Sequence, residues 1–290
     1  MRVVYPSLSI IIPTRSSERF LNKCLSSITN QDYPKNSFEV LVVDNQSSDN
    51  TRMLAQKMGA KIIPVSGNPP MVCQQRNLGA KKSRGEYLFI LAHDMELPKG
   101  FFHEFARMVN ETGGDIGAWY IPEEIKASTP ILSKVRTLEE KFYENTVITA
   151  VRIFKRDVFF ATGGYDESLS SGPADWDIDL MVRMLGVKRN VFKLPLYHHE
   201  ENLKFRNYIL KKGKYVDGIE IYRNKWQKKN HIMYNSVVTK QFSFSYRYLT
   251  VFIDQGKWYR LLLPNLHLVL ILIVIKLLHG MVYILKKTLR

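Results

Sequence analysis

The chain of 290 residues is poor in cysteine, has no glycine-rich dinucleotide signature, and carries almost no acid in its last third. Its two cysteines, Cys24 and Cys73, make neither a metal-ligand spacing nor a disulfide framework. A zinc module and a stapled secreted fold are therefore excluded, and reduced thiols in a cytosolic setting are expected. No Gly-x-Gly-x-x-Gly follows the first apolar stretch, which counts against a dinucleotide oxidoreductase. The opening MRVVYPSLSIII runs into Pro13 and charge rather than a small-residue cleavage site, so no signal peptide is expected. Long apolar runs are also missing. Within Leu261–Leu285 the longest unbroken stretch, Leu268–Ile275, has eight residues, where a spanning helix needs about 18–20. Lys276 would cost about 2.5–3.5 kcal/mol at a bilayer centre. An in-plane or shallow helix is expected rather than a span, anchored on the cytosolic side by Lys286, Lys287 and Arg290.

The net charge of +15 sits mostly at one end: residues 201–290 hold 17 Lys/Arg against 4 Asp/Glu. A nucleic-acid protein can look like this, but here the basic stretch leads into an apolar tail. That pairing suits an anionic membrane surface, where each Lys or Arg adds about 1 kcal/mol, and no nucleic-acid partner is expected. Tyr208–Tyr215 and Tyr222–Trp226 interleave aromatics with cations, which fits lipid headgroups or a polyprenyl phosphate.

What is present is an alternation of buried strands and helices. The spacing predicts strands over Leu8–Ile12, Phe38–Val43, Lys61–Pro64 and the six apolar residues that open Tyr87–Leu97, with His93, Asp94 and Glu96 at its end. It predicts helices over Glu18–Asn30, capped by Ser17, over Asn50–Met58, and over Arg76–Lys82. Such alternation means a mostly parallel sheet with helices on both faces. Three strand ends carry polar clusters: Thr14-Arg15, Asp44 to Asp49, and His93-Asp94. Open α/β sheets bind ligands outside the carboxyl ends of their strands. A carboxylate there, Asp94, has the oxygen chemistry to hold Mg²⁺ or Mn²⁺ against a diphosphate. Further on, Asp175, Asp177 and Asp179 fall where a loop opens a helix, a position that tolerates anions and suits a general base.

The segments IIPTRSSERFLNKCLSSI, VVDNQSSDNT, QQRNLGAKKSRGEYLFI, GGYDE and ADWDIDLMVRMLG occur in an order that resembles the inverting glycosyltransferases of family 2. The match covers about residues 7–200 and is closest to archaeal and bacterial members acting on lipid-linked acceptors. It implies an α/β fold of the GT-A type, to which the composition of the last third adds a C-terminal helical membrane-associating tail. It further implies a glycosyltransferase domain over 1–200, divided near 97 into nucleotide and acceptor halves. A basic helical extension over 201–260 and an apolar helix over 261–290 would follow. By the same resemblance a nucleoside-diphosphate sugar would be held by Pro13, Thr14, Arg15, Glu18, Asp44, Asn45, Asp49, Arg76, Asn77, His93 and Asp94. Asp44 would accept from a base N–H or a ribose hydroxyl, and Arg76 would neutralise the diphosphate.

The chain departs from the family pattern at two acids. The usual Asp-x-Asp reads Ala92-His93-Asp94, so metal binding rests on Asp94, with His93 either ligating the cation or touching ribose or phosphate. Weakened affinity for Mg²⁺ or Mn²⁺, or loss of metal dependence, is expected. In Tyr197-His198-His199-Glu200 the family match favours His199 over His198 as a metal or diphosphate contact. The second departure is Ala174 for Glu in the Glu-Asp-Trp-Asp motif, and it leaves Asp175 as base by the Trp176 and Gly186 matches. A shifted register would choose Asp177. The expected acceptor is a polyprenyl phosphate or another lipid-linked or polysaccharide chain, reached from the cytoplasmic face of the membrane through the C-terminal helix. The competing expectation is a non-catalytic, nucleotide-sugar-binding scaffold.

Overall fold

The computed structural model describes residues 4–66, 72–169, 171–201, 204–211 and 216–288. Ser170 of the expected loop, Lys212–Tyr215 of the basic segment and Arg290 of the expected anchor lie outside the described residues. In chain order the strands are β1 (Leu8–Thr14), β2 (Phe38–Asn45), β3 (Lys61–Val65), β4 (Tyr87–Ile90), β5 (Met95–Glu96), β6 (Ala118–Tyr120), β7 (Glu123–Ala127), β8 (Ile153–Lys155), β9 (Arg189–Val191) and β10 (Leu196–Glu200). The helices are α1 (Glu18–Thr29), α2 (Thr51–Lys57), α3 (Val72–Lys82), α4 (Phe101–Glu111), α5 (Pro130–Tyr143), α6 (Arg156–Ala161), α7 (Ser171–Met184), α8 (Phe205–Lys211), α9 (Val216–Lys229) and, after short helical turns over residues 231–265, α10 (Leu266–Thr288).

Two compact units form: Met1–Pro122 with Ala150–His199, and Glu123–Thr149 with Glu200–Arg290. The first is built on a seven-stranded sheet of order β3-β2-β1-β4-β8-β6-β9. β3, β2, β1 and β4 run parallel; β8 runs antiparallel to both β4 and β6. This is the mostly parallel, helix-flanked α/β sheet that the strand and helix alternation predicts. Every residue of β1 is buried, as the apolar run Ile10-Ile11-Ile12 requires of a strand covered on both faces. The strand runs two residues past its predicted end, through Pro13. Ile11 accepts from Leu91 N–H on the β4 side, and pairing with β4 stops at Ile11. Pro13 has the same parity, so its missing N–H would have faced open space.

The strand expected to open the run Tyr87–Leu97 is present as β4, and a second short strand, β5, follows the turn. β4 ends at Ile90, the chain turns through His93-Asp94, and β5 pairs antiparallel with β10 through Glu96↔Tyr197 and Met95↔His198. The turn is closed by the Met95 N–H on the Ala92 carbonyl, at 3.1 Å, with Asp94 inside it, a residue type that turns favour. Ser17 does precede α1, but its hydroxyl does not cap the helix. It accepts from Arg15 N–H, and the Asp49 carboxylate takes the Glu18 N–H at 3.0 Å.

In the second unit, Leu132, Val135, Leu138 and Phe142 of α5 form one apolar cluster with Leu268, Val269, Leu272 and Ile275 of α10. Two lysines are buried there and both are satisfied. Lys257 donates to the carbonyls of Phe142 and Glu144, each at 2.8 Å, and Lys276 to that of Arg247 at 2.8 Å. Arg136 pairs with Glu200 and lies over the Tyr208 ring.

The link from α3 to β4 passes so close to β1 that there is no room at Gly85, where an added Cβ would meet Ser9 N at 2.6 Å and Leu8 C at 2.8 Å. Those are backbone atoms and cannot swing aside. Gly85→Ala is expected to cost about 2 kcal/mol as an overpacked site and to lower the melting temperature by about 4–8 °C, measured by calorimetry.

Candidate active site

β1 lies between β2 and β4, and the strand order reverses there, at the switch point where doubly wound sheets bind ligands. Parallel register aligns Thr14 with Asp44, so the loops after β1 and β2 leave the sheet side by side. They are laced together. Thr14 Oγ1 donates to Asp44 Oδ1 at 3.1 Å, Ser16 N–H to Ser47 Oγ at 2.8 Å, and Ser17 N–H to Thr51 Oγ1 at 2.7 Å. Glu18 accepts from Asn50 Nδ2 at 2.8 Å and from its N–H at 3.2 Å. Ser16 and Gln46 hold positive φ, 48° and 52°, a left-handed geometry that non-glycine residues adopt only when neighbours fix it.

The candidates in these loops divide accordingly. Asp44 is fully buried, and both its oxygens are taken by Thr14, Ser47 and Arg52, the last at 2.5 Å. Burial alone would raise its pKa, but these donors hold the carboxyl below its usual value. Asp49 and Glu18 are likewise engaged within the lacing, so all three acids shape the loops. Arg15 is exposed. Asn45 is buried with its side-chain oxygen unpartnered among the described residues. Pro13 and Thr14 close the strand.

α3 brings up the next group. Arg76 is 7% exposed, donates from Nη1 to Asp175 Oδ1 at 2.6 Å, and stacks 4.7 Å above the Tyr165 ring. Its Nε is buried without a partner among the described residues. Asp175 lies on α7, ninety-nine residues away in sequence, and is partly exposed. Asn77 makes no open contact: it accepts from Tyr165 N–H and donates to Tyr165 O, both at 2.8 Å, and to Glu167 at 2.9 Å. It holds the turn that Gly163 and Gly164 make at positive φ. Asp177 is 1% exposed, and Asp179 is tied to Arg183 and Arg189 at 2.7 and 2.9 Å. Of the three acids opening α7, Asp175 is the one that meets Arg76. Ala174, in the place of the expected Glu, is fully buried.

At the turn after β4, Asp94 lies 3.6 Å from His198 Nε2, while His199 Nε2 is bonded to Glu96 at 2.8 Å and its ring stacks on Phe20. The expected pairing of Asp94 with His199 is thus replaced by Asp94 with His198, because successive side chains of β10 point to opposite faces. Burial raises the Asp94 pKa, but the His198 hydrogen bond and the charges of His198 and His93 outweigh it and hold the carboxyl at about 2. His93 is partly buried beside it. Among the described residues no cluster of three or more metal-ligating side chains exists. Asp94 and His198 are two donors of the right chemistry. Two suffice for a small divalent cation that completes its shell with water and substrate phosphates, so the residues fit a cation shared with a diphosphate.

Three contributors escape a reading of the sequence alone. Tyr165 shelves Arg76, Arg52 braces Asp44, and Gln75, 3% exposed, bonds the carbonyls of Thr14 and Val43. A glutamine on the same face of α3 as Gly79, four residues on, is the sequence sign of the last.

Residues 9–160 match the family described as Glycosyl transferase family 2. The chain is 31% identical over 165 residues to a Methanococcus voltae dolichyl N-acetyl-alpha-D-glucosaminyl phosphate 3-beta-D-2,3-diacetamido-2,3-dideoxy-beta-D-glucuronosyltransferase, covering 49% of this chain and 51% of that one. It is 30% identical over 112 residues to the poly(ribitol-phosphate) beta-N-acetylglucosaminyltransferase TarS of Staphylococcus aureus, covering 37% of this chain and 20% of that one. It thus spans from a fifth to about half of these curated relatives. The fold is shared with the mannosyltransferase PcManGT of Pyrobaculum calidifontis, solved with GDP-Man and Mn²⁺, at a TM-score of 0.64 and 17% identity, over 99% of this chain and 87% of that one.

The depressed Asp94 pKa has a consequence for stability. A carboxyl at about 2 in the fold and about 3.9 unfolded contributes about 2–3 kcal/mol that is fully present above pH 4 and lost as pH falls toward 2. In urea unfolding, the stability gap between wild type and Asp94→Asn is expected to shrink by that amount between pH 5 and pH 2.

Proposed function

Since the chain belongs to glycosyl transferase family 2, we propose that it moves a sugar from a nucleoside-diphosphate donor to a lipid-linked or polysaccharide acceptor, with inversion, on the cytosolic face of a membrane. The observation that carries the reading is the Arg76–Asp175 pair. It puts a cation suited to a leaving diphosphate and a carboxylate suited to an acceptor proton within one hydrogen bond of each other. The acceptor class follows from relatives whose names specify a dolichyl phosphate-linked sugar and a poly(ribitol-phosphate).

In this reading Asp175 is the base. It takes the proton of the acceptor hydroxyl as that oxygen bonds to the anomeric carbon. The bond from that carbon to the diphosphate breaks on the opposite face, and its electron pair leaves with the diphosphate. Asp94 and His198 would hold a divalent cation, which would supply further neutralisation of the diphosphate charge. Arg76 has two tasks. Paired with Asp175 it keeps the base engaged, and its five donors suit a diphosphate as well as a carboxylate. A bound donor therefore competes for Arg76 and releases Asp175 for the acceptor. Tyr165, kept neutral by burial, supports the guanidinium plane through either partner.

Titration calorimetry of UDP, GDP and their sugar conjugates, with and without Mn²⁺, tests the donor site. One nucleotide sugar is expected to bind, more tightly with the cation; binding without turnover would favour the scaffold, and no binding by any would overturn the donor site. Asp175→Asn is expected to reduce turnover at least 10³-fold while leaving donor affinity within a few-fold. Arg76→Ala is expected to weaken donor binding about tenfold or more. Unchanged turnover in Asp175→Asn would move the base elsewhere, Asp177 being the next candidate.

A further inference from the structure

α10 presents two different faces. Leu268, Val269, Leu272 and Ile275 are buried against α5, whereas Leu266, Leu270, Val274, Leu277, Met281 and Ile284 are 48–65% exposed. Their spacing of four, four, three, four and three residues draws one continuous stripe along a helix. Lys276, the charge that interrupts the apolar sequence, lies outside this stripe. It is 6% exposed, donates to Arg247 O, and sits 4.9, 5.0 and 5.3 Å from the ring centres of Tyr143, Phe252 and Tyr248. The carbonyl and the three ring faces take the place of water around the ammonium. Among the described residues the outer face carries no Asp, Glu, Lys or Arg.

By length and composition Trp258–Val282 is apolar enough to cross a membrane, but its packing argues otherwise. α10 is docked on the rest of its unit from Leu268 to Val282. The helix beside it, α5, carries Lys134, Arg136, Glu139, Glu140 and Lys141. A crossing helix would draw those charges into hydrocarbon, where each costs several kcal/mol unless it finds a partner.

We infer that α10 lies in the plane of an anionic bilayer, its stripe turned into the lipid and its opposite face kept on the protein. The sign of the charge selects this occupant over a second copy of the chain. Residues 255–290 contain six Lys/Arg and no Asp/Glu, so two such helices repel where anionic headgroups attract. Trp258 and Tyr259, 50% and 52% exposed at the approach to α10, are the residue types that settle at the headgroup level. The inference rests on the membrane-surface part of the reading above and is independent of the transfer chemistry.

The test uses the full chain without donor, with phosphatidylcholine vesicles lacking or containing about one-third phosphatidylglycerol. Single cysteines at Leu270, Val274, Leu277 and Met281 carry nitroxide labels. Cys24 and Cys73 stay unlabelled, being 1% and 2% exposed with thiol pKa values raised by burial. All four labels are expected at one shallow depth, about 5–10 Å below the phosphates. Partitioning into the anionic vesicles is expected to fall at least about tenfold in Leu270→Asp/Leu277→Asp, with the melting temperature kept because both sites are exposed. Depths graded by about 1.5 Å per residue would overturn the inference in favour of a span. A lipid-independent dimer, or no binding to either vesicle, would overturn it as well. None of these outcomes bears on donor binding, which calorimetry measures separately.

Discussion

The parallel pairing of β1 with β2 on one side and β4 on the other is the constraint on which the rest depends. Because register aligns Thr14 with Asp44 and Ile11 with Ile90, three polar loops leave the sheet at one edge. Helices α1 and α2 then start side by side and bond to each other's loops. The core supplies the driving force, since burying the apolar side chains of β1, β2 and β4 is worth about 1.5–3 kcal/mol for each large one. The polar lacing adds little net stability but fixes geometry, each hydrogen bond contributing about 1 kcal/mol.

That edge was legible from the residues because its signals are local. Apolar runs ending in Thr14-Arg15, Asp44–Asp49 and His93-Asp94 mark strand ends whatever the tertiary structure. Partnerships across the chain were not legible in the same way. Arg76 reads as a cation on a helix, and only the fold shows it on Tyr165 and against Asp175. Asn77, expected at the ligand, instead holds the glycine turn, since a carboxamide that offers both donor and acceptor serves a backbone equally well. The exchange of His198 for His199 turns on the parity of a strand, β10, whose pairing with β5 is set by a turn that hydrophobic periodicity does not reveal.

Lys276 makes the same point in the other unit. By sequence it is a charge in mid-helix and an argument against burial in lipid. By structure it is a docked group that fixes the rotation of α10, so the residue that interrupts the apolar pattern also determines which side of the helix remains apolar. The periodicity of a sequence does not separate a charge facing a lipid from one facing an aromatic cage.

The reciprocal bonding of the loops after β1 and β2 has a further chemical consequence. Asp49 takes the first N–H of α1 and also the N–H of Thr51, while Glu18 takes that of Asn50. The positive ends of both helices are therefore already occupied by the protein's own carboxylates. Many nucleotide-binding folds present such helix ends directly to phosphate. Here the helix starts after β1 and β2 are met by the protein's own acids, Asp49 and Glu18. On the proposed function, attraction for a diphosphate would come instead from exchangeable positive charge, a guanidinium that changes partner or a cation that arrives with its ligand. In the proposed reaction, release of the diphosphate would follow loss of the sugar, because the Arg76 guanidinium can return to Asp175.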